Sequence, residues 1–230
     1  MNVLKSWNHK NTSTKSKSNE RESEVIMKNK YKIIYCDPPW QYKNQRTRAA
    51  TNNHYPTLSI QDLKSLNIKS LADDNSVLIM WYTDTFAKEA IELAKAWGFK
   101  VKKMKLFTWV KLNKNYHQYI TNSMKKLGCM NANDVFHLIS DQLRFGMGNY
   151  TRANSEDCLI AVKGKGVKRV NNSVSQIILA PVGRHSEKPQ EARDRLELLY
   201  GDIPRIELFA RQNVGGWHAW GNECKNDIQL

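Results

Sequence analysis

The chain reads Lys32-Ile33-Ile34-Tyr35-Cys36-Asp37-Pro38-Pro39-Trp40 near its start. The apolar run that ends at Cys36 is typical of a buried strand, so an acid, two prolines and an indole follow its carboxyl end. Ligands bind at this end of the strands in open α/β sheets. Proline has a fixed φ and no N–H, and it keeps the preceding residue extended. The motif therefore predicts a stiff loop whose carboxylate, carbonyls and aromatic face suit a planar ring with an exocyclic amine.

Strands and helices alternate along the rest of the chain. Strands are predicted at residues 33–36, 77–82, 105–110, 158–162, 176–180 and 205–210. Helices are predicted at residues 60–66, 86–97 and 189–200, and the second of them has the clearest apolar face. This alternation predicts an α/β fold with a mostly parallel sheet flanked by helices.

Two segments depart from this pattern. Residues 1–28 are basic and polar, and no apolar side chain occurs between Asn8 and Asn19, so a disordered tail is expected there. The remaining residues, 29–230, are expected to form one domain. Within it, residues 111–156 are polar and have few periodic apolar positions, apart from a helix candidate at 134–143. A connection this long predicts an insertion near the mouth of the site.

Charge and composition limit the choice of partners. The formal net charge of +14 favours a polyanion, because a cation placed on a phosphate releases counterions. No apolar run approaches the roughly 20 residues that span a bilayer, and the first residues have no hydrophobic signal region. We therefore expect a cytoplasmic protein with no membrane role. The four cysteines are scattered and show no ligand spacing with the six histidines, so reduced thiols and no metal site are expected.

A basic and aromatic loop follows the Asp-Pro-Pro-Trp motif. Lys43, Arg46 and Arg48 are predicted to contact phosphates, and Tyr55 or Tyr42 to stack on a base. An exposed basic loop without a ligand is the alternative for this segment alone.

Two more polar clusters lie where a predicted strand ends. The segment Gly183 to Pro189 joins a strand to a helix, and its Lys188 is placed to hold a carboxylate or a phosphate. Arg211 and Asn213 follow the last predicted strand, with Asn222 and Glu223 soon after. An arginine and an asparagine at a strand end suit ribose hydroxyls, whereas Asn222 with Glu223 suits an adenine edge. A solvated charged loop is equally consistent with the first cluster.

Taken together, these segments resemble the MT-A70 family of S-adenosylmethionine-dependent N6-adenine methyltransferases. The matching segments occur in the family's order: DPPW (37–40), YPTLS (55–59), VLIMW (77–81), AWGF (96–99), TWVK (108–111), SEDCLIAVKG (155–164), HSEKP (185–189), IELFAR (206–211) and WHAWGNE (217–223). The compact form, with FGMGNYTR at 145–152, is most similar to phage and bacterial members, which modify DNA. Glu223 stands where some relatives have Gln, and the loop after Arg211 is short.

The resemblance implies a Rossmann-like class I methyltransferase fold with a permuted motif order. It also implies S-adenosylmethionine as cofactor and no metal. Lys188 would hold the methionine carboxylate, and Arg211 with Asn213 the ribose. Asn222 and Glu223 would contact the ribose or the adenine. Cys36 and Asp37 would border the same site, and nucleic acid would contact Arg152, Arg184 and His185 besides the basic loop.

The chemistry that the resemblance implies gives the Asp-Pro-Pro-Trp motif a catalytic role. The N6 lone pair of adenine is delocalised into the ring and is a poor nucleophile. Asp37 and the Pro38 carbonyl would accept hydrogen bonds from the two N6 protons and favour a pyramidal nitrogen, and Pro39 would fix the loop. Trp40 and Tyr55 are predicted to stack on an adenine extruded from the duplex. Catalysis would then rest on positioning and electrostatics.

Three alternatives stay open at this point. The substrate is DNA by family subtype, but RNA fits the same chemistry. A silent nucleic-acid-binding subunit shares the fold, although it has no need for Asp37 or Lys188. Methylation of the N4 amine of cytosine uses a similar motif, and Trp40 with the downstream segments favours adenine. A homodimer, a partner subunit and the target sequence are not decided by the sequence.

Overall fold

The computed structural model describes residues 30–41, 57–128, 130–146, 150–184 and 186–230. The predictions for the 1–28 tail and for Lys43, Arg46, Arg48, Tyr55 and His185 lie outside these residues. The helices are α1 (Ile60–Ser65), α2 (Ile68–Leu71), α3 (Ala87–Ala96), α4 (Tyr116–Leu127), α5 (Ala132–Ser140) and α6 (Gln190–Tyr200). The strands are β1 (Tyr31–Cys36), β2 (Ala72–Tyr82), β3 (Lys100–Leu112), β4 (Ser155–Lys163), β5 (Ile177–Pro181), β6 (Arg205–Leu208) and β7 (His218–Trp220).

The strands form one sheet in the order β5-β3-β4-β2-β1-β6-β7. Strand β4 is antiparallel to β2 and β3, and the other pairs are parallel, so six of the seven strands run in one direction. The prediction of a mostly parallel α/β sheet is confirmed. The reversal of β4 brings its first residues to the edge where β2 and β3 end, since Trp81 pairs with Cys158 and Val110 with Ser155.

Both faces of the sheet are covered, which explains the continuous apolar runs of the central strands. Ile34 and Leu78 face a core that includes Leu63 of α1 and Leu93 of α3. Alternate residues of the same strands face a second core with Leu196 of α6. Trp97 ties α1 to α3, because its indole N–H donates to the Leu63 carbonyl at 2.9 Å.

Some boundaries differ from prediction for local reasons. Strand β6 ends at Leu208, two residues early, because Phe209 takes a φ of 60° and leaves the extended region. The predicted insertion at 111–156 begins after Leu112 and contains two helices rather than one. Helix α4 was not predicted, although Tyr116, Ile120 and Met124 recur at helical spacing, and it buries no residue of its own. Strand β7, only three residues long, was also not predicted.

Candidate active site

Charged side chains from five strands meet at one edge of the sheet. Asp37 follows β1, Arg211 follows β6 and Glu223 follows β7, and parallel neighbours end at the same edge. Glu156 joins them because β4 starts here, and Lys111 because β3 ends here. The Asp37 motif and the cluster of Arg211 and Glu223, both predicted at strand ends, therefore lie on the same edge of the sheet.

Three of these groups and Lys188, which precedes α6, form a continuous chain of ion pairs. The Lys188 ammonium lies 2.6 Å from Oδ2 of Asp37 and 3.2 Å from Oε2 of Glu156. The other oxygen of Glu156, Oε1, lies 2.5 Å from Nζ of Lys111. Lys188 is also 5.9 Å from the centre of the Trp81 ring. Two lysines and two carboxylates thus alternate along the edge, from β3 to β1.

Burial makes these charges depend on one another. The Lys188 side chain is 6% exposed and the Asp37 side chain 24%, so the aspartate is the more open partner. Burial raises the pKa of Asp37, against the Lys188 charge, which lowers it. Burial also acts to raise the pKa of Glu156, but Lys188 and Lys111 outweigh it, and the net pKa is lowered. Burial opposes the charge of Lys188, yet its two carboxylates raise its pKa. Lys188 therefore stays protonated and holds both acids.

The Pro-Pro-Trp part of the motif is a buried, hydrogen-bonded turn. The main-chain N–H of Trp40 donates to the Pro38 carbonyl at 2.8 Å, and that of Leu58 donates to the Pro39 carbonyl at 3.0 Å. Trp40 is 6% exposed, and its ring stacks on Phe86 with 5.2 Å between the ring centres. Its indole N–H donates to the Trp81 carbonyl. Phe86 covers one face of the indole, and the low exposure of Trp40 leaves little of the other face open to a base.

The second cluster is held between the ends of β6 and β7. A Cβ at Gly221 would come within 2.0 Å of the Ala210 carbonyl oxygen, so only glycine allows this close approach. Arg211 lies 3.5 Å from Glu223. Both polar atoms of the Asn213 amide pair with the Lys225 backbone, at 2.8 and 2.9 Å. Asn213 thus already closes a turn, whereas Asn222 is only partly buried beside Glu223.

The remaining predicted residues lie around this edge. Cys36 is fully buried in the last position of β1, beneath Asp37, and burial raises the pKa of its thiol. Arg184 is exposed, lies 3.7 Å from Glu187 and donates to Gln212 beside Arg211 at 3.4 Å. Arg152 is exposed in the insertion, three residues before β4.

Glu156 and Lys111 were not predicted as site residues. Both lie in segments that carried the family resemblance, but nothing in their local sequence marks them off from other strand-end charges. Their signal is three-dimensional, because only the antiparallel register of β4 brings Glu156 beside Lys111 and Lys188.

The donor set fits S-adenosylmethionine. An ammonium has three donors, and Asp37 and Glu156 take two of those on Lys188. The third faces the Ser186 carbonyl at 3.4 Å, a long contact that a ligand carboxylate can replace. Asp37 and Glu223 add negative charge for a cationic sulfonium. Within the described ranges, no group of three or more His, Cys, Asp or Glu is arranged to hold a metal ion. No described helix is long and apolar enough to cross a membrane.

Comparisons with known proteins agree with this geometry. The model of the MT-A70 family matches residues 31–132 and 135–223. The chain is 29% identical over 225 residues to the type II methyltransferase M.MunI of a Mycoplasma species, covering 89% of this chain and 83% of that protein. It is 29% identical to the human N(6)-adenine-specific methyltransferase METTL4, covering 84% of this chain and 37% of that protein. It is 27% identical to the catalytic subunit of human N(6)-adenosine-methyltransferase, METTL3, covering 88% and 30%.

The family match spans all seven strands and every charged residue of the edge, from Asp37 to Glu223. The sheet with its reversed strand is the Rossmann-like methyltransferase fold, and the Asp-Pro-Pro-Trp motif precedes the strands that carry Arg211 and Glu223. The chain belongs to the MT-A70 family of N6-adenine methyltransferases.

Proposed function

We propose that the protein transfers a methyl group from S-adenosylmethionine to the N6 amine of adenine in DNA. The observation that carries this proposal is the Asp37 carboxylate, which Lys188 holds at 2.6 Å while a quarter of the side chain stays open to a substrate. The family supplies the reaction class, and the geometry supplies a group able to position the amine.

Asp37 and the Pro38 carbonyl act on the target nitrogen. A carbonyl oxygen has two lone pairs, and the Trp40 N–H uses one of those on Pro38. The second lone pair and the Asp37 carboxylate accept hydrogen bonds from the two N6 protons. The nitrogen then becomes pyramidal, and its lone pair is no longer conjugated with the ring. When bound, S-adenosylmethionine supplies an electrophilic methyl on a sulfonium. The carboxylate then stabilises the positive charge that develops on N6 as the carbon–nitrogen bond forms and the methyl–sulfur bond breaks, and it accepts the proton that N6 afterwards loses.

Lys188 has two tasks in this scheme. It keeps Asp37 ionised in a buried site, since burial alone favours the neutral acid. Its remaining donor binds the methionine carboxylate. Arg211, Asn222 and Glu223 hold the ribose and adenine of the cofactor, whereas Asn213 fixes their loop through the Lys225 backbone, and Cys36 forms the apolar floor.

The nucleic acid reaches Asp37 from the loop and insertion side. Trp40 and Leu58 are bridged, so the segment between Gln41 and Thr57 starts and ends at the site. That segment carries Lys43, Arg46, Arg48 and Tyr55. In the insertion, Phe145 and Tyr150 are 71% and 102% exposed beside Arg144 and Arg152, which suits bases that stack and phosphates that pair. Arg184, exposed in the loop before Lys188, adds to this basic surface, and we also assign nucleic-acid contact to His185, which lies outside the described residues.

Changing Lys43, Arg46 and Arg48 together to Ala should weaken DNA binding and reduce the salt slope of log K by roughly 2.7, which is 0.9 for each phosphate that is no longer neutralised. Binding is measured by fluorescence anisotropy across a salt series. The triple variant of Lys100, Lys102 and Lys168, exposed lysines at the other edge of the sheet, is the control of equal charge. An unchanged slope in the loop variant would assign the phosphates to the insertion instead.

The match to the type II methyltransferase favours DNA as substrate. The match to the type II methyltransferase covers most of both proteins, whereas matches to METTL4 and METTL3 cover about a third of those longer chains. The compact phage and bacterial form is the one whose members modify DNA, and such an enzyme acts in the cytoplasm. The name of METTL3 keeps RNA as the second candidate. The intact Asp37–Lys188 pair argues against a silent subunit.

The test is a product assay with labelled S-adenosylmethionine and matched DNA and RNA of mixed sequence, each digested to nucleosides. We expect label in N6-methyldeoxyadenosine and a loss of at least ~10³-fold in Asp37→Ala. Asp74→Ala, an aspartate 86% exposed at the opposite edge, should keep full activity. Label only in RNA would change the substrate. Equal activity in Asp37→Ala would reject the site, and label in cytosine would reject the base.

A further inference from the structure

A cavity of about 350 Å³ opens at the edge of the sheet opposite the candidate active site. Its walls are the first half of β3, the ends of β4 and α6, and the connection after β4. The space exists because β5 pairs with β3 only from Thr108 onward and leaves the earlier part of β3 uncovered on this side. We call it the amino-edge cavity, because its lining includes the first half of β3, and Val77 of β2 also lines it.

The interior of the amino-edge cavity is apolar, whereas its polar lining is basic. Phe107, Ile160, Val162 and Leu199 are among the apolar residues that line it. Its charged lining residues are all cations, namely Lys103, Lys165 and Arg169, and their side chains are exposed.

These three cations have no acid to pair with among the described residues, whereas some lysines of β3 and β4 do. Lys105 lies 3.2 Å from Asp157, and Lys163 lies 3.8 Å from Asp74. Lys103, Lys165 and Arg169 form no ion pair with any residue in the described part of the chain. Three uncompensated cations around an apolar cavity produce a positive potential that attracts an anion.

A hydroxyl that lines the cavity points to the same conclusion. Tyr200, the last residue of α6, lines the cavity. Its hydroxyl forms no hydrogen bond with the described residues, although Arg169 is near enough to influence its pKa. The hydroxyl can therefore donate to a ligand that supplies an acceptor.

We propose that the amino-edge cavity binds a small organic anion with a flat apolar body. The body of the ligand lies against the aliphatic wall. Its anionic group forms ion pairs with Lys103, Lys165 and Arg169 and accepts a hydrogen bond from the Tyr200 hydroxyl. The volume lies within the range of ligand pockets, about 300–1,000 Å³. S-adenosylmethionine does not fit this chemistry, because its sulfonium would face three cations. The site is separate from Asp37 and Lys188 and would bind its ligand independently of catalysis.

The test uses anilinonaphthalene sulfonate as probe, whose fluorescence rises on transfer to an apolar site. The full chain, saturated with S-adenosylmethionine to fill the catalytic edge, is titrated with this probe, with uncharged N-phenylnaphthylamine and with inorganic phosphate. We expect saturable binding of the sulfonate at one site. Changing Lys103, Lys165 and Arg169 together to Ala should weaken it roughly tenfold, as expected for three partly exposed ion pairs.

Two further variants keep the result interpretable. Val174→Trp should fill the cavity and abolish binding while the cations stay in place. The Lys100, Lys102 and Lys168 triple variant, which removes three cations outside the cavity, should bind as wild type. Equal binding of N-phenylnaphthylamine, equal loss in the control triple variant, or full binding in Val174→Trp would each overturn the proposal.

Discussion

Two glutamates buried in the same sheet behave in opposite ways. Glu156, at the start of β4, is bound by two lysines, and its pKa is lowered. Glu207, in β6, makes a bidentate pair with Arg193 at 2.7 and 2.8 Å, yet its pKa is raised. Burial acts to raise the pKa of both glutamates. At Glu156 the two lysines outweigh burial. At Glu207 burial outweighs Arg193, and the negative charge of Asp37 raises the pKa further.

The difference separates a functional charge network from a structural one. The Arg193–Glu207 pair is closed, because planar guanidinium and carboxylate match each other and both side chains are at most 11% exposed. The Lys188 network is open, because its ammonium donors are shared and Asp37 remains accessible. A closed pair holds α6 to β6, whereas an open network can admit a ligand.

The largest effect on activity is expected from Lys188→Met. It removes the cation shared by Asp37 and Glu156, so both pKa values should rise and methyl transfer should fall by at least ~10³-fold. Urea unfolding should change little, because Asp37 stays partly open to water and Glu156 keeps Lys111 as its partner. Steady-state methylation and urea melts measure the two effects side by side. A loss of stability with activity preserved would show that the network is structural.

Arg193→Met should give the reverse pattern. Glu207 would be left buried without its cation, which costs about 3–5 kcal/mol of unfolding free energy. Methylation per folded molecule, measured well below the urea midpoint, should stay near the wild-type rate. The double variant Arg193→Met/Glu207→Leu should recover most of the stability, since it leaves no unpaired charge. An activity loss as large as that of Lys188→Met would show that the Arg193–Glu207 pair and the Lys188 network act as one functional unit, which would contradict the comparison.

The smallest effect is a pair of opposite pH dependences. Glu156 stabilises the fold above its ordinary pKa of 4.5 and loses this as pH falls, because its folded pKa is the lower one. Glu207 has the higher folded pKa, so its contribution weakens as pH rises above 4.5. Melting temperatures are measured from pH 4 to 7. As pH rises, that of wild type should increase relative to Glu156→Gln and decrease relative to Glu207→Gln, by about 2–4 °C for ~1 kcal/mol. Slopes of the same sign would contradict the comparison.

Local patterns in the sequence predicted most of the frame. The apolar run at Val77 to Tyr82, the periodic face of α3 and the strand end at Asp37 each follow from neighbours in the chain. Lys188 was predicted as an anion site without its partner, because Asp37 lies 151 positions away. The role of Glu156 depends on the direction of β4, which no local pattern determines. Likewise, the positive φ of Phe209 leaves no trace in the sequence that could mark the end of β6.

The insertion between β3 and β4 leaves and rejoins the sheet at one point. The Lys111 N–H donates to the Asn154 carbonyl at 2.8 Å, and the Arg144 N–H donates to the Lys111 carbonyl at 2.7 Å. Everything between these two hydrogen bonds can lengthen, shorten or be exchanged without shifting Glu156 or Lys111. Under the proposed function, target preference can differ between related enzymes through this segment while the charged edge stays constant. Grafting the 113–154 segment of one such enzyme onto another tests this directly, with sequence preference as the readout.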